Sequence, residues 1–413
     1  MKYLGSFLAF GFLLVGSLAA ESPSQRQLDQ WLKRFPAADT NEDGKLTLDE
    51  AMAYRDKLRG GSGKAGNNRQ RGAPRNFEVD PGWDEERFPD HAICYQSPEQ
   101  IAEVYRKSLN GKGRAITSYE KPESGALRIV GTGHSFMAPG YRTLPQICQA
   151  TGFDQPLLTH TGGGVTGSTR YKWEQENGIF QFDGQPIPKL MASIANAEWD
   201  AMMWGPYFHD RIEFYQCWID FCLKYNPDMK FFLSDAWPQL YQLEEKPETE
   251  AFFTEAVIEK MGRERHGGYA KLVEALREQY SERIFILPTS DAMVLAAKRF
   301  LRGELPQVEG LHSAVGEKEE RALWRDELGH LGPGFDRLEG YVFYATLYGR
   351  SPVLIEEPIP FRGSSAFPGP ELDGIFREIA WQAVIGNPLS GVVDKDGDGV
   401  GDEAAELEAV KLD

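Results

Sequence analysis

The segment 127–136, Leu-Arg-Ile-Val-Gly-Thr-Gly-His-Ser-Phe, leads an apolar β-branched run into a glycine-rich turn that carries one serine. Gly131 and Gly133 let the backbone bend sharply and leave Ser135 uncrowded. A serine at the carboxyl end of a strand in an open α/β sheet lies where such sheets bind their ligands. Serine alone is a weak nucleophile, so nucleophilic attack by Ser135 also requires a base and an oxyanion site elsewhere in the chain.

Strand-like and helix-like stretches alternate around this segment. The predicted strands are 126–131, 156–160, 199–204, 230–235 and 283–288, and the predicted helices are 141–150, 209–224, 250–280 with breaks, 290–302, 334–348 and 373–385. Strands that alternate with helices indicate a parallel sheet covered on both faces. We therefore predict an α/β domain over 76–389, built as a three-layer α/β/α sandwich with a mainly parallel sheet.

Two short blocks at the ends of this domain resemble a known family. Gly133-His134-Ser135 is similar to the first block of the SGNH/GDSL-type serine hydrolases, in which such a turn carries the nucleophile. Asp326-Glu-Leu-Gly-His330, followed by a helix-like stretch, resembles the last block of that family. The resemblance covers roughly 126–352 and keeps the order of parts. It implies a flavodoxin-like fold, carboxylic ester hydrolysis, and a triad of Ser135, His330 and Asp326.

The spacing of the last block departs from the family pattern of Asp-x-x-His. Asp326 lies four residues before His330, whereas Glu327 lies three before it. Either carboxylate could orient the ring, and we favour Asp326 because Gly329 can absorb one extra residue. His134 is expected to be structural or to face the substrate, since His330 fits the order of the blocks better.

The resemblance also implies where an oxyanion would bind. The N–H of Ser135 is one expected donor, and Gly163 or Gly164, in the turn after the second predicted strand, is the expected second donor. The family's third block ends in an asparagine donor, but the matching place at 203–207 has none. Loss of one such donor costs about 3 kcal/mol or more. Either His209 or a second glycine N–H substitutes, or the catalyst is weaker.

The start of the chain has the pattern of an export signal. Lys2 precedes the almost wholly apolar stretch 4–18 and small residues near position 20, so 1–20 is predicted to be cleaved. A retained anchor is the alternative. We expect a secreted or periplasmic protein with no membrane span after cleavage. The net charge of −17 argues against nucleic acid or an anionic membrane as its main partner.

Residues 21–58 resemble an EF-hand, a helix-loop-helix that binds calcium. Oxygen ligands recur at the spacing of the calcium loop, with Gly44 at the sharp bend. These predicted ligands are Asp39, Asn41, Asp43, the carbonyl of Lys45, Thr47 and Glu50. The alternative is an acidic turn before a helix. Residues 59–75 are rich in glycine and basic residues and are predicted to be a flexible linker.

The acidic tail 390–413 repeats part of this spacing. The predicted ligands are Asp394, Asp396, Asp398, the carbonyl of Val400, and Asp402. Position 12 of this loop is Ala405, which removes the usual bidentate ligand. A degenerate calcium loop and a solvated acidic tail are therefore both open.

Other side chains carry weaker signals. Cys94, Cys148, Cys217 and Cys222 allow disulfides or buried thiols, although the last two lie on different faces of a predicted helix. Asp291 is predicted to be a helix N-cap. His266 and His312 show no usable pattern. Trp173, Trp204, Tyr207 and Trp237 could stack on sugars, but core packing is the more common use of such rings.

We therefore expect an exported serine esterase that acts on carbohydrate or acyl esters, such as acetyl groups on an extracellular polysaccharide, and that binds Ca²⁺. The expected partner is a small ester or a polysaccharide substrate. A non-catalytic, calcium-binding scaffold or binding protein of the cell envelope is the alternative. A calcium sensor with the sandwich as its output is a third possibility.

Overall fold

The computed structural model describes residues 28, 32, 36–41, 43–47, 50, 117–161, 171, 190–207, 210–359, 361 and 367–402. The chain divides into two compact units, Met1–Arg75 and Asn76–Asp413. The predicted signal at 1–20, the linker at 59–75 and Cys94 lie outside the described residues.

The second unit is built on a parallel sheet. Its strands are β1 (Ile129–Gly133), β2 (Leu157–Thr161), β3 (Ala201–Trp204), β4 (Lys230–Ser234) and β5 (Ile284–Leu287). They form a five-stranded sheet in the order β2-β1-β3-β4-β5, and every neighbouring pair is parallel. Every residue of β1 and of β3 is buried, as expected for strands covered on both faces.

Helices follow the strands in the predicted alternation. They are α1 (Ala138–Ala150), α2 (Leu190–Asn196), α3 (Ile212–Tyr225), α4 (Glu255–Tyr280), α5 (Thr289–Leu301), α6 (Phe335–Tyr348) and α7 (Pro370–Gly386). α6 packs against α1 and α7, and α4 packs against α5. The predicted α/β class with a mainly parallel sheet is thus confirmed. The strand order reverses direction between β1 and β3, which is where sheets of this order bind ligands.

A second, smaller sheet was not predicted. Strands β6 (Gly310–His312) and β7 (Ala322–Trp324) form a parallel pair of three residues each. Such short strands give almost no periodic signal in a sequence. β7 leads directly into the segment that carries His330.

One sequence prediction about a helix end is wrong. α5 begins at Thr289 after Pro288, so Asp291 lies inside the first turn and is not the N-cap. Its carboxylate accepts a hydrogen bond from the side chain of Asn387 at 2.8 Å.

The structure shows the state of three of the four cysteines. Cys148, Cys217 and Cys222 are buried free thiols. Burial raises the pKa of the Cys148 thiol above its ordinary value, so it is held as an apolar group. Within the described residues, no helix is both long and apolar enough to cross a membrane.

The described part of the first unit has a small apolar cluster of its own. Leu28, Ala38 and Leu46 are buried together, and Leu32 packs against them. The predicted loop lies beside this cluster in the sequence, and its backbone bends at Gly44 with a φ of 79°.

Candidate active site

The turn after β1 depends on glycine. Gly133 has a φ of 134°, and a Cβ placed there would lie 2.8 Å from the carbonyl oxygen of Gly205. A Cβ on Gly131 would lie 2.6 Å from the ring of Tyr141. The Tyr141 hydroxyl lies 3.1 Å from the carbonyl oxygen of Thr132 in β1 and 2.8 Å from that of Met203 in β3, and so links the ends of the two strands. The two glycines therefore allow the close approach that presents Ser135.

Side chains from two distant parts of the sequence meet at this turn. The Ser135 Oγ lies 2.6 Å from Nε2 of His330. On the other side of the ring, Nδ1 of His330 lies 2.8 Å from Oδ2 and 3.0 Å from Oδ1 of Asp326. This is the order of hydroxyl, imidazole and carboxylate that converts a serine into a nucleophile.

The loop that carries His330 wraps around the carboxylate of Asp326. Its Oδ1 accepts hydrogen bonds from the backbone N–H groups of Leu328 at 3.1 Å and of His330 at 3.2 Å. Gly329, with a φ of 81°, closes the turn by donating its N–H to the Asp326 carbonyl at 2.9 Å. The left-handed glycine accommodates the extra residue between the acid and the histidine.

The alternative carboxylate lies elsewhere. Glu327 pairs with Nζ of Lys246 at 2.7 Å, and both side chains are largely exposed. The carboxylate on the imidazole is therefore that of Asp326.

A buried tryptophan holds the histidine loop from the opposite side. Trp237 stacks on Phe136 with ring centroids 4.5 Å apart, and Phe136 meets the His330 ring edge-on at 5.4 Å. Nε1 of Trp237 donates a hydrogen bond of 2.7 Å to the carbonyl of Gly329. Gln239 Nε2 donates a hydrogen bond of 2.9 Å to the carbonyl of Leu328, the residue before Gly329. Neither residue was predicted to contact the histidine loop, since nothing in the spacing of the sequence links 237–239 to 328–330.

Of the expected oxyanion donors, the described residues include only the N–H of Ser135. Among the described residues, no acceptor pairs with the N–H of Ser135, which leaves this group available to a substrate oxygen. Gly163, Gly164 and His209 lie outside the described residues. β2 ends at Thr161, which is in register with Gly133 at the end of β1.

The described aromatic candidates, Trp204, Tyr207 and Trp237, are all buried, as core packing predicts.

His312 and Asp210 are among the titratable groups of this unit whose pKa values are shifted by burial. Burial lowers the pKa of His312 to about 4, and its Nδ1 accepts the N–H of Ala314 at 3.2 Å. Burial raises the pKa of Asp210 to about 7, although the hydroxyl of Tyr215 donates to this carboxylate at 2.8 Å. Both shifts favour the neutral form of the side chain.

The predicted N-terminal calcium loop folds around its own oxygens. Asp39 Oδ2 accepts the N–H of Gly44 at 2.8 Å, and Asn41 Oδ1 accepts the N–H of Asp43 at 3.0 Å. Glu50 reaches back so that Oε2 accepts the Thr47 hydroxyl at 2.7 Å. Hydrogen bonds from Thr47 lower the pKa of Glu50 to about 2. Lys45 donates its N–H to Asp43 at 2.8 Å.

The C-terminal acidic loop is folded against the α/β unit. One carboxylate oxygen from each of Asp394, Asp396 and Asp398 lies within 4.8 Å of the others. Val400 forms an antiparallel bridge with Arg350, and Nε1 of Trp381 donates to Asp394 at 3.2 Å. Asp402 pairs with Lys395 at 3.5 Å. The described part of this tail, up to residue 402, is therefore ordered on the domain rather than simply solvated.

No protein-family model and no curated protein sequence matches the chain. Three solved structures are similar to it at low identity. A DUF4886 family protein from Bacteroides uniformis is 12% identical, and the match covers 63% of this chain and 95% of that chain with a TM-score of 0.42.

The second structure, provisionally described as a platelet activating factor from Streptococcus pneumonia, is 13% identical, with 61% of this chain and 92% of that chain covered and a TM-score of 0.31. The third is the periplasmic domain of a lipopolysaccharide acetyltransferase from Salmonella ser. Paratyphi A. It is 13% identical, with 60% of this chain and 97% of that chain covered and a TM-score of 0.29. Similarity at this level does not assign an activity to the chain.

Proposed function

We propose that this chain is a serine hydrolase of the SGNH type that cleaves carboxylic esters. The observation that carries the proposal is the contact of 2.6 Å between Ser135 Oγ and His330 Nε2, with Asp326 on the other ring nitrogen. Residues 195 positions apart meet in an arrangement that activates a serine hydroxyl.

The geometry supports a two-step mechanism. As Ser135 Oγ attacks the ester carbonyl, Nε2 of His330 takes the hydroxyl proton, and Asp326 stabilises the imidazolium through Nδ1–H. His330 then protonates the departing alkoxide, which leaves an acyl group on Ser135. Water attacks this acyl-enzyme with His330 again as the base, so the acid is released and the serine is restored. Such a base is worth about 10²–10⁴-fold in rate.

The oxyanion formed in each step would be stabilised by backbone donors. The N–H of Ser135 is available for this purpose within the described structure. Gly163 and Gly164 are the proposed second donors, because their segment leaves β2 at Thr161, next to the Ser135 turn.

For the substrate, we propose acetyl or other acyl esters of carbohydrate. Supporting this choice, Tyr241 exposes 63% of its surface and lies two residues after Gln239, which holds the His330 loop. The guanidinium of Arg265 lies over this ring, 5.6 Å from its centroid. We propose that the opposite face of the exposed ring is the one on which a sugar stacks. The predicted export signal would place the enzyme outside the cytoplasm or in the periplasm, where such polysaccharides are available.

We further propose two structural Ca²⁺ sites. The first unit offers Asp39, Asn41, Asp43, the Lys45 carbonyl, Thr47 and Glu50, and the tail offers Asp394, Asp396, Asp398, the Val400 carbonyl and Asp402. Both sets are oxygen donors, which suit a hard cation, and three carboxylates of the tail set already converge. Bound calcium would supply no step of ester hydrolysis and would stabilise the folded loops.

The test of the proposed activity uses p-nitrophenyl acetate and a fluorophosphonate probe. We expect S135A to lose turnover by at least about 10²-fold and to lose labelling, since both depend on the activated hydroxyl. S118A, a change at an exposed serine outside the site, is the matched control. If the S135A variant turns over the ester like the wild type, the proposal fails. If the wild type neither labels nor turns over, a non-catalytic calcium-binding scaffold is the better description.

A further inference from the structure

A second group of side chains converges at the same edge of the sheet, at the ends of β4 and β5. Asp235 directly follows β4, Asp291 lies in the first turn of α5, and His266 projects from α4. Nδ1 of His266 lies 3.2 Å from Oδ2 of Asp235 and 4.0 Å from Oδ2 of Asp291. One ligand atom from each residue lies within 4.8 Å of the other two.

Both carboxylates are held in place by further donors. Oδ1 of Asp235 accepts the N–H of Ser290 at 2.8 Å and the Thr289 hydroxyl at 3.0 Å, which leaves Oδ2 facing His266. Asn387 donates to Asp291 at 2.8 Å. Metal-binding carboxylates are commonly oriented by such outer hydrogen bonds.

The charges of this group do not balance. Asp235 is completely buried, and among the described residues neither it nor Asp291 forms an ion pair with a lysine or arginine. Two carboxylates thus share a single imidazole, and burial together with the neighbouring Asp235 charge raises the pKa of Asp291 to about 6. With both carboxylates ionised, the group is negative whether or not that ring is protonated. Buried charge is costly unless it is paired or binds a metal. A divalent cation would remove the imbalance.

We propose that Asp235, His266 and Asp291 form a binding site for a Zn²⁺-like divalent transition metal. The imidazole nitrogen and two carboxylate oxygens suit such an ion, with metal–ligand distances of about 2.0–2.2 Å and one or more waters completing the shell. Two ligands at those distances around one ion lie about 3–3.5 Å apart. The distance of 3.2 Å between Oδ2 of Asp235 and Nδ1 of His266 already lies in this range. A small rotation of the partly exposed Asp291 side chain would bring its Oδ2, now 4.0 Å from the same nitrogen, into the site.

The site has a structural consequence for the serine centre. Asp235 begins the segment that contains Trp237 and Gln239, both of which bind the loop before His330. An ion on Asp235 would fix the start of that segment to α4 and α5. The metal is therefore assigned a structural role, and the inference stands whether or not the chain hydrolyses esters.

The test is a titration of chelator-treated, full-length protein with Co²⁺, in saturating Ca²⁺ so that the oxygen-rich loops do not compete. We expect one equivalent of Co²⁺ to give the visible absorption of a low-symmetry nitrogen-containing site, displaced by Zn²⁺. H266Q and D291N should each weaken binding by at least about tenfold. R263Q, a change on the exposed face of the same helix, should bind like the wild type.

Thermal unfolding of every variant without metal, together with fluorophosphonate labelling, separates lost binding from lost fold and from lost serine reactivity. The proposal is overturned if the wild type binds no Co²⁺ under these conditions, or if folded H266Q and D291N bind it unchanged. In either case His266 is simply an ion-pair partner of Asp235.

Discussion

Trp237 donates a hydrogen bond from Nε1 to the carbonyl of Gly329 at 2.7 Å, and Gly329 immediately precedes His330. The indole also stacks on Phe136, which follows Ser135 and touches the His330 ring. One buried side chain from the end of β4 therefore contacts both the serine turn and the histidine loop. The distance between Ser135 and His330 is set by this packing as well as by the two loops themselves.

The role of this tryptophan is tested by W237F, which keeps an aromatic ring and removes the donor. Loss of one hydrogen bond costs about 1 kcal/mol, and a shifted imidazole should lower kcat by about tenfold with little change in KM. The control is W199F, because Trp199 is equally buried and donates to the Ser193 carbonyl at 3.0 Å. Steady-state kinetics and thermal unfolding of both variants decide the matter. Equal kcat in W237F and W199F would contradict a positioning role.

The acid behind His330 is tested by comparing D326N with E327Q. An amide in place of Asp326 loses the charge that stabilises the imidazolium, and we expect kcat to fall by about 10²–10⁴-fold. Glu327 makes only an exposed pair with Lys246, worth about 0–1 kcal/mol, so E327Q should retain full turnover. Turnover of p-nitrophenyl acetate measures both. A large loss in E327Q with activity kept in D326N would reverse the assignment.

The glycine at the end of β1 is tested by G133A. The added methyl would lie 2.8 Å from a backbone oxygen and 2.9 Å from Met137 Cγ, at a φ of 134° that side-chain-bearing residues rarely adopt. We expect a loss of unfolding free energy above about 2 kcal/mol, with slower labelling of Ser135. In the control, G152A, the φ is also positive at 80° but nothing lies within 4 Å of the new atom. Denaturant unfolding should rank G133A well below G152A, and similar losses would refute the close approach.

Calcium is tested at the tail with D398N, which removes one of three converging carboxylates. A ligand at a hundred times its dissociation constant stabilises the fold by about 2.7 kcal/mol. We expect Ca²⁺ to raise the melting temperature of the wild type and of D228N, a control at an exposed aspartate, and to raise it much less in D398N. An equal Ca²⁺-induced rise in all three proteins, measured against a chelator, would remove the tail site.

The buried His312 predicts a pH dependence of stability. Its pKa is lowered to about 4 in the fold by burial, whereas an unfolded histidine titrates near 6.5. Between these values the unfolded chain binds the extra proton, so stability is complete above about pH 6.5 and is lost as the pH falls towards 4. The loss from this one group is about 1–3 kcal/mol.

This loss is measured as the difference between the wild type and H312N, in which an amide oxygen can still accept the Ala314 N–H. Urea unfolding from pH 7.5 to 4.5 should show a steeper decline in the wild type, because other titrating groups are shared and cancel. Parallel curves for the two proteins would show that His312 is not held neutral.

From the sequence alone come the α/β class, the glycine turn that presents Ser135, and a loop in which two candidate acids, Asp326 and Glu327, lie four and three positions before His330. These features are local. The periodicity of strands and helices, the residues of a turn and the spacing of an acid from a histidine can each be recognised within a short segment of sequence. Only the tertiary structure shows the strand order, the short β6–β7 pair and which carboxylate faces the His330 ring. It also shows the hydrogen bond from Trp237 to the Gly329 carbonyl and the grouping of Asp235 and Asp291 around His266. Their physical cause is packing between residues far apart in the chain, for which a single sequence holds no repeating pattern.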